Sequence, residues 1–446
     1  MIDAPWSAWS AWNSGHLGWH ELLAWLSQSA ARWSWSAALF QFCFLYPLFM
    51  SGLWMVGSLF YWLRYERTHC LPGHPPPLPR TPKVALVVPC FNEEDNAEET
   101  VLNLLAHDYP NFEVIAINDC SKDRTGEILD ALARQHPKLR VLHHARNQGK
   151  AVGLTSAALA TDAEFLLCID GDALLDQHAA RWMVWHFLHS PRVGAVTGNP
   201  RLRTRASMLG RIQVGEFSSI VGLIKRAQRT YGRLFSVSGV CVMFRKAALT
   251  DVGFWSRETL TEDIDISWKL QLRHWDVRFE PAATCWILMP ETLRGLWSQR
   301  LRWATGGAQA VIKYSHIWKD WRQRRMWPIY FEYALSLTWA YAMTSVCLLW
   351  LAHFVVPLPA AIQVETMVPG WTGLLIATAC LMQALLAMSL DARYDHRLWR
   401  HYCFVIWYPL AYWLMGMLTT VVAFPRALKR GAGQRGLWVS PDRGLR

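Results

Sequence analysis

Four short signatures follow one another along this chain of 446 residues, and their acidic, basic and aromatic side chains could carry chemistry. They are Asn118-Asp119, Asp170-Gly171-Asp172, Thr261-Glu262-Asp263 and Gln299-Arg300-Leu301-Arg302-Trp303. The second signature follows the apolar run from Phe165 to Ile169, which is typical of a buried parallel strand. Because open α/β sheets bind ligands beyond the carboxyl ends of their strands, its two carboxylates are predicted to lie at a ligand site.

The spacing of Asp170 and Asp172 favours a divalent metal. Gly171 between them has no side chain, so the backbone can approach a ligand closely. Mg²⁺ or Mn²⁺ suits hard oxygen ligands and is usually held by one or two carboxylates together with substrate phosphates. We therefore predict a metal site at Asp170 and Asp172 that fits a nucleoside diphosphate. The alternative is a pair of solvated acids at the end of a loop.

Polar loops follow the first two predicted strands and can bracket a nucleotide base and its ribose. The substrate contacts predicted in these loops are Pro89, Phe91, Asn92, Glu93 and Asp119. Ordinary turns whose polar residues cap a helix are the alternative for each loop alone. Lys150 follows a donor-rich turn and adds a cation, or is simply exposed to solvent.

The last two signatures are predicted to lie on helices. Glu262 and Asp263 precede an amphipathic helix, where acids often only complement the helix dipole. A helix start also fixes a carboxylate rigidly, as a catalytic acid or base requires. Gln299, Arg302 and Trp303 share one helix face, so a guanidinium can clamp phosphate while an indole stacks on a sugar. The alternative is a helix on the membrane surface with a snorkelling arginine and an interfacial tryptophan.

The elements that must position these residues alternate between strand and helix. Strands are predicted at 84–88, 114–117, 140–143 and 165–169, and helices at 97–106, 125–135 and 151–160. This alternation predicts a doubly wound, Rossmann-like α/β domain.

Composition indicates that this domain belongs to a membrane protein. The chain is 52% hydrophobic, which is too apolar for a wholly soluble protein of this length. Its net charge of +11 fits membrane lipids and phosphorylated substrates. Nucleic acid is not expected as a partner, because no nucleic-acid fold signature appears. Ten cysteines without a CxxC pair indicate neither a zinc site nor a disulfide framework.

Seven segments are expected along the chain. They are a tryptophan-rich arm, interpreted as interfacial, at 1–36, a transmembrane segment at 37–63, a proline-rich linker at 64–82, the soluble domain at 83–290, membrane-interface helices at 291–328, a transmembrane region at 329–425 and a basic tail at 426–446. Arg64 and Arg67 directly follow the first span, so the positive-inside rule places the soluble domain in the cytoplasm. Later spans are expected at 333–357, 371–390 and 403–424. Three later spans would place the tail outside, whereas its basic residues favour the inside, and the sequence leaves both open.

The whole set of motifs resembles that of family 2 inverting glycosyltransferases of the processive, membrane-embedded kind, which includes cellulose, chitin and hyaluronan synthases. Within that family the chain is most similar to bacterial synthases of poly-β-1,6-N-acetylglucosamine. The segments that carry this likeness are Val196 to Arg201, Ile264 to Leu272, Cys285 to Leu293 and Trp438 to Gly444. The likeness covers residue 37 to the end. The tryptophan-rich arm replaces the first span of that family, and Asn118-Asp119 stands where many relatives have two aspartates.

The resemblance implies a GT-A-type cytoplasmic domain inserted between transmembrane helices of the bacterial inner membrane. It implies transfer of GlcNAc from UDP-GlcNAc to a growing polysaccharide, with inversion, and export of the polymer through the spans. Asp263, beside Glu262, would be the catalytic base. Asp119 would contact the uracil, and Trp303 would support the terminal sugar of the acceptor.

The resemblance leaves several alternatives open. One is a synthase of another polymer, such as hyaluronan, chitin or cellulose, and another is a non-processive transferase that makes a lipid-linked sugar. A membrane scaffold with an inactive transferase domain is disfavoured, because no acid is missing from the motifs. A small membrane partner subunit is also implied, and cyclic di-GMP would bind only through an interface shared with it.

Overall fold

The computed structural model describes residues 35–69, 73–359, 362–364, 370–407 and 413–429. Most of the predicted tryptophan-rich arm and of the basic tail therefore lies outside the described residues. The predicted division into seven segments stays a prediction, although several of its elements can be located.

A mixed sheet of eight strands forms the centre of the soluble domain in the described residues. The strands are β1 (Val84–Cys90), β2 (Phe112–Asn118), β3 (Leu139–His143), β4 (Phe165–Ile169), β5 (Leu174–Leu175), β6 (Val193–Leu202), β7 (Cys241–Arg245) and β8 (Asp276–Ile287). Their order across the sheet is β3-β2-β1-β4-β7-β6-β8-β5. β1 pairs in parallel with β2 and β4, whereas β7 runs antiparallel to both of its neighbours. The carboxyl ends of β1, β2 and β4 therefore meet at one edge.

Helices cover both faces of this sheet and continue into an apolar bundle. They are α1 (Trp35–Tyr61), α2 (Ala97–Leu105), α3 (Thr125–Gln135), α4 (Lys150–Ala160), α5 (Ala179–His189), α6 (Met208–Phe217), α7 (Ile224–Tyr231), α8 (Lys246–Asp251), α9 (Glu262–Leu272), α10 (Leu293–Lys313), α11 (Trp327–His353), α12 (Gly370–Asp391) and α13 (Leu414–Lys429). Shorter helical segments are the π-helical turns Trp62–Glu66 and Ser218–Leu223, the helical turn Arg67–His69, and the 3₁₀ segments Ser315–Lys319, Trp321–Met326 and Leu398–Trp407.

The predicted strands and helices of the doubly wound domain are confirmed. All residues of β1 and β4 are buried, as expected of central parallel strands. Successive side chains of β1 point to opposite faces, so Leu86 packs in one apolar core with α2, while Val87 packs in a second core with α4. Two cores on the two sides of one sheet make this a three-layer α/β domain.

Three helical segments in the described residues are long and apolar enough to cross a membrane. They are Ala38–Glu66, Trp321–His353 and Gly373–Asp391, and they include most of the spans expected at 37–63, 333–357 and 371–390. The span expected at 403–424 is divided between a 3₁₀ segment that ends at Trp407 and α13, which begins at Leu414. The number of membrane crossings therefore stays a prediction.

A buried network of charges fastens the bundle to the soluble domain. Arg226 in α7 lies 2.6 Å from Glu66, just after α1, and 2.8 Å from Asp391, at the end of α12. Asp391 also lies 2.6 Å from Arg201 in β6. All four residues are at most 2% exposed. The ends of two candidate spans are thereby held against the sheet that carries the acidic motifs.

Candidate active site

The loops that follow β1 and β2 contact each other. The backbone N–H of Asn92 donates to Ser121 Oγ at 3.1 Å, and Asn92 Oδ1 accepts from the Lys122 N–H at 2.9 Å. The N–H of Glu93 donates to Thr125 Oγ1 at 2.8 Å. The structure thus brings together the two loops that were predicted to bracket a nucleotide, and their contact with a nucleotide stays a prediction.

Asp119 shapes the turn that leads into α4. Its side chain is 1% exposed, and it accepts hydrogen bonds from His144 Nδ1 at 2.8 Å, from the Gln148 N–H at 3.0 Å and from the Gly149 N–H at 2.8 Å. Gly149 has a φ of 86°, a conformation that favours glycine. Sequence reasoning missed this role of Asp119, and the predicted uracil contact stays a prediction.

Lys150, placed by that turn, joins the second and third signatures. Its Nζ lies 2.5 Å from Asp170 Oδ1 and 3.1 Å from Glu262 Oε1, and it donates to the Gly239 carbonyl at 3.2 Å. Burial alone would lower the pKa of Lys150, but the charges of Asp170 and Glu262 outweigh it and raise the pKa. Lys150 is therefore a charged ammonium group paired with two carboxylates, and its side chain is only 15% exposed.

The Asp170-Gly171-Asp172 turn fits closely against the end of β1. A Cβ added to Gly171 would lie 3.2 Å from both the Pro89 carbonyl oxygen and Glu93 Cγ. The Asp172 residue is 7% exposed, whereas the Asp170 side chain is 28% exposed. No group of three or more histidines, cysteines, aspartates or glutamates in the described residues could hold a metal ion by itself. Two carboxylates fit a Mg²⁺ or Mn²⁺ ion whose coordination is completed by substrate phosphates.

Asp263 lies at the start of α9 with both carboxylate oxygens held. Oδ1 accepts from the Ile264 N–H at 2.9 Å, and Oδ2 accepts from the Gly239 N–H at 3.3 Å. Burial and the neighbouring charge of Glu262 raise the pKa of Asp263 to about 6. Burial acts in the same direction on Glu262, but the cation of Lys150 outweighs it and lowers the pKa of Glu262. The two adjacent acids therefore differ in pKa, and Asp263 is suited to act as a base near neutral pH.

The fourth signature lies on α10, as predicted. Gln299 Oε1 is buried and has no hydrogen-bond partner in the described part of the chain. We expect a buried acceptor without a partner to accept a hydrogen bond from a bound ligand. Arg302 is exposed, and its charge lowers the pKa values of both Glu262 and Asp263. The Arg302 side chain therefore lies toward the acidic pair.

Arg300 and Glu216 were missed as site residues. Arg300 Nη2 donates to Glu216 Oε2 at 2.6 Å, and its guanidinium lies 4.4 Å from the ring centroid of Trp303. Burial raises the pKa of Glu216 to about 7 against the attraction of Arg300. Arg300 lies inside the fourth signature and could have been found there. Glu216 gave no signal, because it is a single acid in a helix that is otherwise mostly apolar.

Trp303, Arg300 and Glu216 also line a cavity of about 460 Å³ that extends among the candidate spans. Its other aromatic walls are Tyr46, Trp54, Trp339 and Trp413, and its polar groups include Ser51, Ser219, Glu332, Ser336 and Gln383. The helix that carries the fourth signature thus forms part of the wall of a cavity among the candidate spans.

The chain is similar to known glycosyltransferases. Residues 81–306 match the family described as "Glycosyltransferase like family 2". The poly-beta-1,6-N-acetyl-D-glucosamine synthase of Staphylococcus aureus (strain MSSA476) is 36% identical over 406 residues, which cover 91% of this chain and 98% of the relative. The synthase of the same name from Staphylococcus epidermidis is 34% identical over 417 residues, with the same two coverages.

A solved structure shares the fold. The mannosyltransferase PcManGT from Pyrobaculum calidifontis, in complex with GDP-Man and Mn²⁺, has a TM-score of 0.54 and 20% identity, covering 86% of this chain and 98% of its own. At this identity the likeness shows the fold alone, which is a GT-A-like mixed sheet with a Rossmann-like half. By its family match and by its identity to the staphylococcal synthases, the chain belongs to glycosyltransferase family 2.

Proposed function

We propose that this protein polymerises N-acetylglucosamine from UDP-GlcNAc into β-1,6-linked poly-N-acetylglucosamine, a biofilm exopolysaccharide. The observation that carries the proposal is the assembly of Lys150, Asp170, Glu262 and Asp263 around one loop, beside a helix whose Trp303 lines a cavity among the spans. Relatives named for this synthase activity match 91% of the chain, including the membrane bundle.

The donor would bind at the carboxyl edge of the sheet. The loops after β1 and β2 would hold uracil and ribose, while Asp170 and Asp172 would hold a Mg²⁺ or Mn²⁺ ion with the diphosphate. A divalent cation bound there supplies electrostatic stabilisation of the leaving diphosphate. Arg302 is exposed on the same side of α10 as the acidic pair, and it would contact the phosphates.

Asp263 would act as the base. It would take the proton of the acceptor's 6-hydroxyl while that oxygen attacks the anomeric carbon on the face opposite UDP. The new C–O bond forms as the bond to UDP breaks, and the electron pair leaves with UDP, so the α-linked donor gives a β-linked product. Glu262, kept ionised by Lys150, favours the proton's transfer because its charge raises the pKa of Asp263.

The cavity would take the growing polymer. Trp303 would support the terminal sugar of the acceptor, and the indole rings of Trp54, Trp339 and Trp413 offer flat apolar faces along the cavity wall. Synthesis and export would then be coupled across the inner membrane, with the transferase domain in the cytoplasm, as Arg64 and Arg67 indicate. A small membrane partner subunit, and cyclic di-GMP acting only through an interface with it, stay predictions.

Membranes containing the protein test this proposal when they are incubated with a panel of UDP-sugars in parallel. We expect polymer from UDP-GlcNAc alone, with β-1,6 linkages by chemical linkage analysis. Asp263→Asn is the matched control, because it should bind UDP and make no polymer. Polymer from another UDP-sugar, or with another linkage, would contradict the proposed product. A product that stops at one lipid-linked sugar would contradict processive synthesis.

A further inference from the structure

A buried lysine next to the site has no role in the mechanism above. Lys225, near the start of α7, is 8% exposed, and its Nζ donates to Ser238 Oγ at 2.7 Å and lies 3.5 Å from Thr197 Oγ1. Within the part of the chain that the structure describes, Lys225 forms no ion pair. Burial lowers the pKa of Lys225 to about 7, against the attraction of Asp263. Burying an amino group without a charged partner costs free energy, so we expect Lys225 to have a structural or functional role.

Lys225 donates to the hydroxyl of Ser238, which lies in the turn that forms a hydrogen bond to Asp263. Ser238 precedes Gly239, whose N–H donates to Asp263 Oδ2 and whose carbonyl accepts from Lys150 Nζ. The turn is also tied on its other side, since the Ser238 N–H donates to Thr197 Oγ1 at 2.8 Å. A Cβ added to Gly239 would lie 3.2 Å from Asp263 Cβ, so the turn and the carboxylate are in close contact.

We propose that Lys225 is a positioning residue for Asp263, acting through the turn formed by Ser238 and Gly239. This inference rests on the proposed role of Asp263 as the base. The hydrogen bond from Lys225 to Ser238 keeps the Gly239 N–H directed at Oδ2, and thereby fixes the orientation in which the carboxylate meets the acceptor hydroxyl. The residue before it, Ile224, lines the cavity among the spans, so one helical turn contacts both the proposed polymer path and the turn at the base.

Lys225→Met and Ser238→Ala test the inference from the two ends of one hydrogen bond. Methionine is uncharged and of similar length, and replacing a buried charge by an apolar side chain of similar volume is often tolerated. Arg229→Met is the control, because Arg229 lies one turn further along α7 and pairs with Asp276. UDP affinity, the KM for UDP-GlcNAc, kcat and the pH profile are measured for each variant.

We expect each of the two variants to lower kcat by about 10- to 100-fold, since a misplaced reacting group costs on that order. The double variant should be no worse than the slower single one, and UDP affinity and the KM should not change. The charged groups that face Asp263 are Glu262, Lys150, Arg302 and Lys225. Loss of the Lys225 cation should therefore move the acid limb of the Lys225→Met profile to higher pH.

Three results would overturn the inference. They are a kcat for Lys225→Met equal to that of Arg229→Met, a fall in UDP affinity as large as the fall in kcat, and additive losses in the double variant. If Lys225→Met does not fold, Ser238→Ala decides, and full activity of that variant refutes the inference. Wild-type membranes that make no polymer from UDP-GlcNAc would instead refute the proposed function, which separates the two failures.

Discussion

Gly306→Ala is expected to disturb the proposed base, Asp263, from a position outside the proposed substrate contacts. Gly306 lies in α10 where this helix crosses Thr261, the residue directly before the acidic pair. An added Cβ would lie 2.5 Å from Thr261 Cγ2 and 2.7 Å from Thr261 Cβ, whereas ordinary Cβ contacts begin at about 3.4 Å. Rotation of the Thr261 side chain cannot relieve the contact between the two Cβ atoms. The backbone of one element must therefore move by about 0.7 Å, the difference between the last two distances.

The backbone movement caused by Gly306→Ala affects both stability and turnover. Overpacking of this kind costs about 1–3 kcal/mol of stability, which a three-layer α/β domain with two cores should survive. The larger effect is on turnover, because Thr261 is bonded to Glu262 and lies two residues before Asp263. A displacement approaching 1 Å at a reacting group can cost on the order of 100-fold in rate. We therefore expect kcat to fall by about 10- to 100-fold with UDP affinity retained.

The assay is polymer formation from UDP-GlcNAc in membranes, with UDP affinity measured on the same samples. Gly52→Ala on α1 is the matched control, because no atom lies within 4 Å of a Cβ added there. Adding Thr261→Gly to Gly306→Ala removes the clashing Cβ and should restore part of the rate, as coupled neighbours do. Full activity of Gly306→Ala, or no recovery in the double variant, would refute the reasoning.

Three further predictions follow from the same structure. The value of kcat/KM should fall about tenfold per pH unit below pH 6, because Asp263 must be ionised and its pKa is raised to about 6; a flat profile well below pH 6 would contradict its role as the base. Asp172→Asn, or a chelator added to the wild type, should abolish polymer formation while the protein stays in the membrane, and undiminished turnover with chelator would contradict the metal site. Asp391→Ala removes a carboxylate shared by Arg226 and Arg201 and should cost about 3–5 kcal/mol, seen as a lower melting temperature of the detergent-solubilised protein; an unchanged melting temperature would show that the network does not fasten the bundle.

Local patterns predicted four of the eight strands of the sheet, β1 to β4. The run from Val84 to Cys90 and the run from Phe165 to Ile169 are apolar without alternation, and both are buried on the two faces of the sheet. The helix of Thr125–Gln135 was predicted with both of its ends, because its apolar residues recur at helical spacing. The remaining strands, β5 to β8, were not predicted, and their pairings join segments that lie far apart along the chain.

Motif order predicted the acidic residues of the candidate site but not the contacts among them. The sequence left open whether Lys150 is a cation of the site or a solvent-exposed lysine. The adjacent residues in the sequence do not show that Asp170 and Glu262 lie within 3.1 Å of it. Lys225 and Glu216 were not predicted at all, since nothing in the adjacent sequence shows that these two charged residues are buried. Their partners lie far away along the chain, and only the tertiary fold shows that their charges are paired or hydrogen-bonded.

Helix α10 connects the candidate active site with the candidate membrane spans. Gly306 brings its backbone against Thr261 at the base, and Gly307 brings it against Tyr333 of α11, where an added Cβ would lie 3.0 Å from Cε2. Trp303, one turn earlier, lines the cavity among the spans. Because Gly306 and Gly307 have no side chains, α10 packs directly on both Thr261 and a candidate membrane span. Because packed helices move as units, a shift of α11 relative to the sheet would change the position of Thr261, and a polymer that fills the cavity could alter the geometry at Asp263.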